Sequence, residues 1–98
     1  MKKERAFELI QEALHSMRES ELIEEEVIID ADTILLGAGS PLDSIGFVTF
    51  ITDLEERLIK ETNQDLYIVL DEVDDFNANN PSLVVDVLAK YIVGLTRE

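Results

Sequence analysis

The chain has 98 residues, 22 acidic against 8 basic side chains, a formal charge of −14 at pH 7, and no cysteine. That length supports one domain with a single modest core, and a whole-chain domain 1–98 is expected. The charge excludes a phosphate backbone as partner, because every approach would be repelled. The missing cysteine removes disulfides, thiolate catalysis and cysteine-zinc sites together.

Hydrophobic residues make up 46% of the chain but aromatics only 6%, so the core is expected to be aliphatic and helical. The opening "MKKERAFELIQEALHSM" has no apolar run suited to a signal peptide or membrane span. A cytoplasmic protein without membrane insertion is the expectation. In the same opening, Ala6, Phe7, Ile10, Ala13, Leu14 and Met17 recur at helical spacing, which predicts a first amphipathic helix over 3–18.

Residues 19–43 combine acids, the β-branched run Val27, Ile28 and Ile29, and the breaker cluster "GAGSP". They read as a long connection, a kind that is often functional. From Glu19 to Glu56 there are eleven acids and no lysine or arginine, so any partner that docks there should be basic.

The helical period returns at Ser44. Phe47, Phe50, Ile51, Leu54 and Leu58 share one face at about 100° per residue, and that face belongs to the core. Ile45, Val48, Thr49, Thr52, Glu55 and Glu56 lie on the opposite face, apolar or neutral near the serine and acidic farther along. Such a surface suits docking, although a solvated helix with two stray aliphatics has the same pattern. "ETNQD" ends this helix after Lys60. "LYIVL" at 66–70 reads as a buried loop segment, with a strand as the alternative, and "DEVDDF" as a short helical turn. After "NNPS", Ser82 is a candidate N-cap for a last helix, with Val84, Val87, Leu88, Tyr91, Ile92 and Leu95 as its apolar stripe. The expected fold is all-α: a small four-helix bundle, three helices longer and one short, with a long loop between the first two.

Three chemistries compete for the notable residues. "LDSIG" resembles a nucleophile elbow but lacks its first glycine and the preceding strand. The single histidine, His15, reads as a surface residue of the first helix, so an enzyme is not expected. Asp75, Asn77 and Asn79 followed by Asp86 resemble a calcium loop. Its sixth position is Asn80 instead of glycine and Pro81 follows; a turn between two helices explains these residues equally well. The third chemistry starts from Ser44 at the first turn of a helix, where unpaired N–H groups and the positive end of the macrodipole tolerate an anion. Asp43 is either its N-cap or a helper that brings a metal ion to the hydroxyl during modification.

From Thr33 to Ile92 the chain resembles the acyl carrier protein family. Asp43-Ser44-Ile45 stands where that family has Asp-Ser-Leu, "VTFITDLEERL" is similar to its second helix, "DADTILLGAGSPLDS" to its lead-in and "SLVVDVLAKYI" to its closing helix. The resemblance implies phosphopantetheine attached to Ser44 by a phosphopantetheinyl transferase, from coenzyme A and with Mg2+ during transfer. It also implies acyl groups carried as thioesters to acyl-loading, synthase or acyltransferase enzymes with basic patches. Asp43, Ile45, Val48, Thr49, Thr52, Glu55 and Glu56 would then form the recognition surface, on a monomer with no resident metal. Fatty acid, lipid or polyketide-like biosynthesis is the implied setting. Thr49 stands where the family often has glutamate, Asp53 where it often has a small residue, and "GAGSP" makes the lead-in longer and more flexible than in many members. These departures suggest a specialised pathway. The alternatives are a calcium-binding EF-hand-like protein and an unmodified acidic adaptor.

Overall fold

A computed structural model of the chain describes residues 1–21, 23, 27–78 and 80–96. Glu24, Glu25 and Glu26 of the acidic stretch, and Asn79 of the calcium-like loop, lie outside the described residues. In chain order the elements are α1 (Lys3–Glu19), β1 (Ile34–Leu36), α2 (Ser44–Thr62), α3 (Leu70–Phe76), β2 (Leu83–Val84) and α4 (Val85–Leu95). Among the described residues the fold is therefore mostly helical with four helices, but not purely all-α: β1 and β2 form a small antiparallel sheet. Ile34 pairs with Val84 and Leu36 with Leu83, with an irregularity between them.

Helix α1 carries the expected stripe with one exchange. Ala6, Leu9, Ile10, Ala13, Leu14 and Met17 are buried, while Phe7 is half-buried, with the Lys3 ammonium 5.9 Å from its ring centre. Helix α2 buries Gly46, Phe47, Phe50, Ile51, Leu54 and Leu58. Phe50, Leu54 and Leu58 are fully enclosed, and each such side chain contributes about 1.5–3 kcal/mol relative to exposure. The two helices are antiparallel neighbours: Arg5 of α1 meets Glu61 near the end of α2, and Met17 lies against Gly46 at its start. Asn63 closes α2 in the left-handed conformation, its N–H bonded to Ile59 O at 2.8 Å.

The "LYIVL" segment is irregular up to Val69, and its last residue opens α3. Leu66 and Ile68 are buried, whereas Tyr67, Val69 and Leu70 are exposed. Ser82 is not the N-cap of α4. Val84 occupies that position, and the N–H groups of Val85 and Asp86 donate to Thr33 O at 2.9 Å and Ala31 O at 3.0 Å. Carbonyls of the connection before α2 thus do the work of a capping side chain. Helix α4 buries Val85, Leu88, Ala89, Tyr91 and Ile92, with Val87 and Leu95 half-buried.

From Val27 onward the connection before α2 is stitched by hydrogen bonds. Gln11 of α1 donates to Val27 O at 2.6 Å and accepts from Ile29 N at 3.0 Å. The Asp30 carboxylate accepts from Asp32 N and from the Thr33 hydroxyl, forming a tight turn. Ser40 Oγ donates to Leu35 O at 2.7 Å and accepts from Leu42 N at 3.0 Å. "GAGSP", expected to be a flexible lead-in, is a hydrogen-bonded turn.

Candidate functional site around Ser44

Asp43 positions the serine. It stands at the N-cap of α2 in extended conformation, with its Oδ1 accepting from Gly46 N at 2.6 Å and its carbonyl accepting from Phe47 N at 2.8 Å. Of the two roles open to it in sequence, the N-cap is the one the geometry displays. Ser44 is then the first residue of the helix, exposed, with its hydroxyl at the N-terminal mouth. Gly46 is the third. A Cβ there would lie 3.0 Å from the capping oxygen and 3.7 Å from Met17 Cε, so the missing side chain lets the cap and α1 close onto this turn together.

A cavity of about 190 Å³ adjoins the serine, lined by Leu36, Ser44, Phe47, Val48, Leu70, Val73, Asp74 and Leu83. Its walls come from β1, α2, α3 and β2. All but Ser44 and Asp74 are apolar. The strand wall is braced by Gly37, where φ is +116° and an added Cβ would sit 2.9 Å from Pro81 O and Ser82 Oγ. Ile45 is 78% exposed and Val48, at the cavity's edge, 53%, making an apolar surface beside the hydroxyl.

The rest of the expected recognition face divides. Thr49 and Thr52 are exposed, and their hydroxyls donate back to Ile45 O and Val48 O, each at 3.0 Å. Glu56 is exposed. Glu55 is half-buried and accepts from Ile68 N at 2.8 Å, so it ties the segment leading into α3 to the side of α2. Asp53 binds Arg57 one turn away at 2.7 Å.

Helix α3 packs against α4. The Tyr91 hydroxyl donates to Glu72 Oε2 at 3.2 Å, and the Phe76 ring meets Tyr91 edge-on, with centres 5.9 Å apart. Burial pushes the Tyr91 phenol above its ordinary pKa, the Val69 backbone opposes that, and Glu72 adds to the rise.

Ion pairs gather away from the serine. Arg5 reaches Glu61, Glu12 and Glu8, and its hydrogen bonds hold the Glu61 carboxyl below the usual range. Asp86 is engaged by Lys3 and, at 3.0 Å, by Lys90, which lower its carboxyl in that order. Two of the described residues of the calcium-like loop have protein partners. Asp86 faces two ammonium groups, and Asn77 Nδ2 donates to Ser82 O at 2.9 Å. Among the described residues no group of three or more histidine, cysteine, aspartate or glutamate side chains could hold a metal ion.

His15 and Ser44 are not brought together. His15 lies 2.9 Å from Glu19 and lines a different, larger groove of about 630 Å³ with Gln11, Glu12, Ser16, Glu19, Ile28 and Arg57. That groove is crossed by the Glu12–Arg57 pair at 3.6 Å. Sequence reasoning missed Leu36, Leu70, Val73, Asp74 and Leu83, which come from segments far apart in the chain and share no spacing rule. Among the described residues, no helix is long and apolar enough to cross a membrane. No protein-family model, no curated protein and no solved structure matches the chain.

Proposed function

We propose that the protein is an acyl carrier whose attachment residue is Ser44. The observation that carries this reading is an exposed serine hydroxyl at the first position of a capped helix, opening beside an otherwise apolar cavity. A hydrolase would need a base near that hydroxyl, and the single histidine lines another groove. A carrier needs only reach and a place for its cargo.

In this reading Ser44 Oγ attacks the diphosphate of coenzyme A in a transferase. A phosphodiester forms, and the bond to the departing nucleotide breaks. When bound, the phosphopantetheine arm supplies a terminal thiol for thioester chemistry, which a chain without cysteine otherwise lacks. The chain's own residues do the remainder. The positive end of the α2 macrodipole would favour an anion at Ser44, Ile45 and Val48 offer apolar contact to an enzyme, and Glu56 with the acids of α3 attracts basic patches. Sheltering cargo in the cavity contributes about 0.8 kcal/mol per buried CH₂ before the cost of opening. Tethering lets one cargo visit several active sites at high effective concentration.

The test is intact mass after incubation with coenzyme A, Mg2+ and a broad-specificity phosphopantetheinyl transferase. Wild type should gain one phosphopantetheine and Ser44→Ala none. An unmodified wild type would leave the acidic-adaptor reading in its place.

A further inference from the structure

Among the described residues, Asp74 is the one ionisable side chain lining the cavity beside Ser44. It belongs to α3 and shares the lining with Leu36, Phe47, Val48, Leu70, Val73 and Leu83. Two features of that space constrain a cargo. Its volume of about 190 Å³ lies below the roughly 300–1,000 Å³ of sites that enclose drug-sized ligands, which suits a short acyl group. Its polarity is lopsided, because an apolar body is welcome along the walls while the carboxylate accepts hydrogen bonds and repels a second anion.

Resting on the carrier reading, we infer that this cavity selects short acyl groups bearing a cationic or hydrogen-bond-donating substituent, and that Asp74 is the specificity-determining residue. An ammonium at the far end of a short chain would meet the carboxylate at the rim, with the intervening methylenes against the leucine and valine walls. A plain alkyl group of the same size would fill the walls and leave the carboxylate to water. A carboxylated group would bring two anions together. The neighbouring Asp71, Glu72 and Asp75 are exposed, as Asp74 is, but do not line the space. They add a general attraction for cations but no contact with the cargo, which makes Asp75 the appropriate control.

The experiment loads the full chain through the transferase with 3-aminopropanoyl-, butanoyl- or malonyl-coenzyme A and follows amide exchange at Leu70, Val73 and Leu83. The first two cargoes match in size and differ in charge. In wild type, 3-aminopropanoyl should slow exchange at these amides about two- to fivefold more than butanoyl, the range of a partly exposed ion pair, and malonyl should protect least. Asp74→Asn should abolish the preference and Asp75→Asn preserve it. Equal protection by 3-aminopropanoyl and butanoyl in wild type, a preference surviving Asp74→Asn, or one lost equally in Asp75→Asn would overturn the assignment while leaving the carrier reading intact. Failure of Ser44 to gain mass from any of the three would overturn both.

Discussion

At the scale of single residues, the site depends on what Asp43 does with one oxygen. Its 2.6 Å bond to Gly46 N satisfies a donor at the third position of α2 that has no partner within the helix. Asp43→Ala should therefore lose about 1 kcal/mol in denaturant unfolding, whereas Asp43→Asn, an equally good cap, should retain stability. Equal losses in both variants would mean that charge, not capping, is what Asp43 supplies. Glu55 shows how a side chain can change category once the chain is folded. Its place on the outer face of α2 was legible from helical spacing, but its use was not, because the amide of Ile68 lies in another segment. Ser82 is the converse case: a residue of capping type lies near the start of a helix, yet the carbonyls of Ala31 and Thr33 already satisfy the first amides of α4.

Among elements, the small sheet is what periodicity could not supply. Three residues of β1 and two of β2 are too few to display an alternation, and each strand makes sense only against the other. Their pairing draws the connection before α2 onto the segment before α4 and so builds one wall of the cavity. Gly37 is its closest point of approach. Gly37→Ala combines a strained positive φ with a backbone collision, and a cost of about 1–3 kcal/mol is expected. Gly39→Ala also has positive φ, but its nearest neighbour is a movable Ile34 side-chain atom at 3.7 Å. It should cost less, and thermal unfolding of the two variants side by side checks the order. The helices were far more readable, since the buried faces of α1 and α2 follow the 3.6-residue period.

For the whole molecule, charge decides the response to solvent. With −14 formal charges, self-repulsion opposes compaction, while the ion pairs of Arg5, Arg57, Lys3 and Lys90 are partly exposed and individually weak. Salt screens both, but acids outnumber bases, so the melting temperature should rise from low to about 0.15 M ionic strength, where screening acts over about 8 Å. A flat or falling temperature would refute that balance. Acid works in two stages. Protonating carboxylates first relieves repulsion. As pH falls past the ordinary carboxylate values, Glu61 and Asp86, whose folded pKa values lie lower still, are charged in the native state longer than in the unfolded one. Their contribution, present above those ordinary values, is lost as pH drops through the depressed ones, and Asp86→Asn should flatten that limb of the stability curve.

The helices, the inward faces, the acidic field and a serine at the mouth of α2 could be read from the order of residues, because each follows from local spacing, composition or the chemistry of a helix end. Folding in three dimensions was needed to show that strands join the two loops, that Glu55 and Asp86 are occupied by partners on other segments, and that Asp74 lines a cavity beside Ser44. Those outcomes depend on which segments meet in space, and a contact between residues tens of positions apart leaves no periodic trace along the chain.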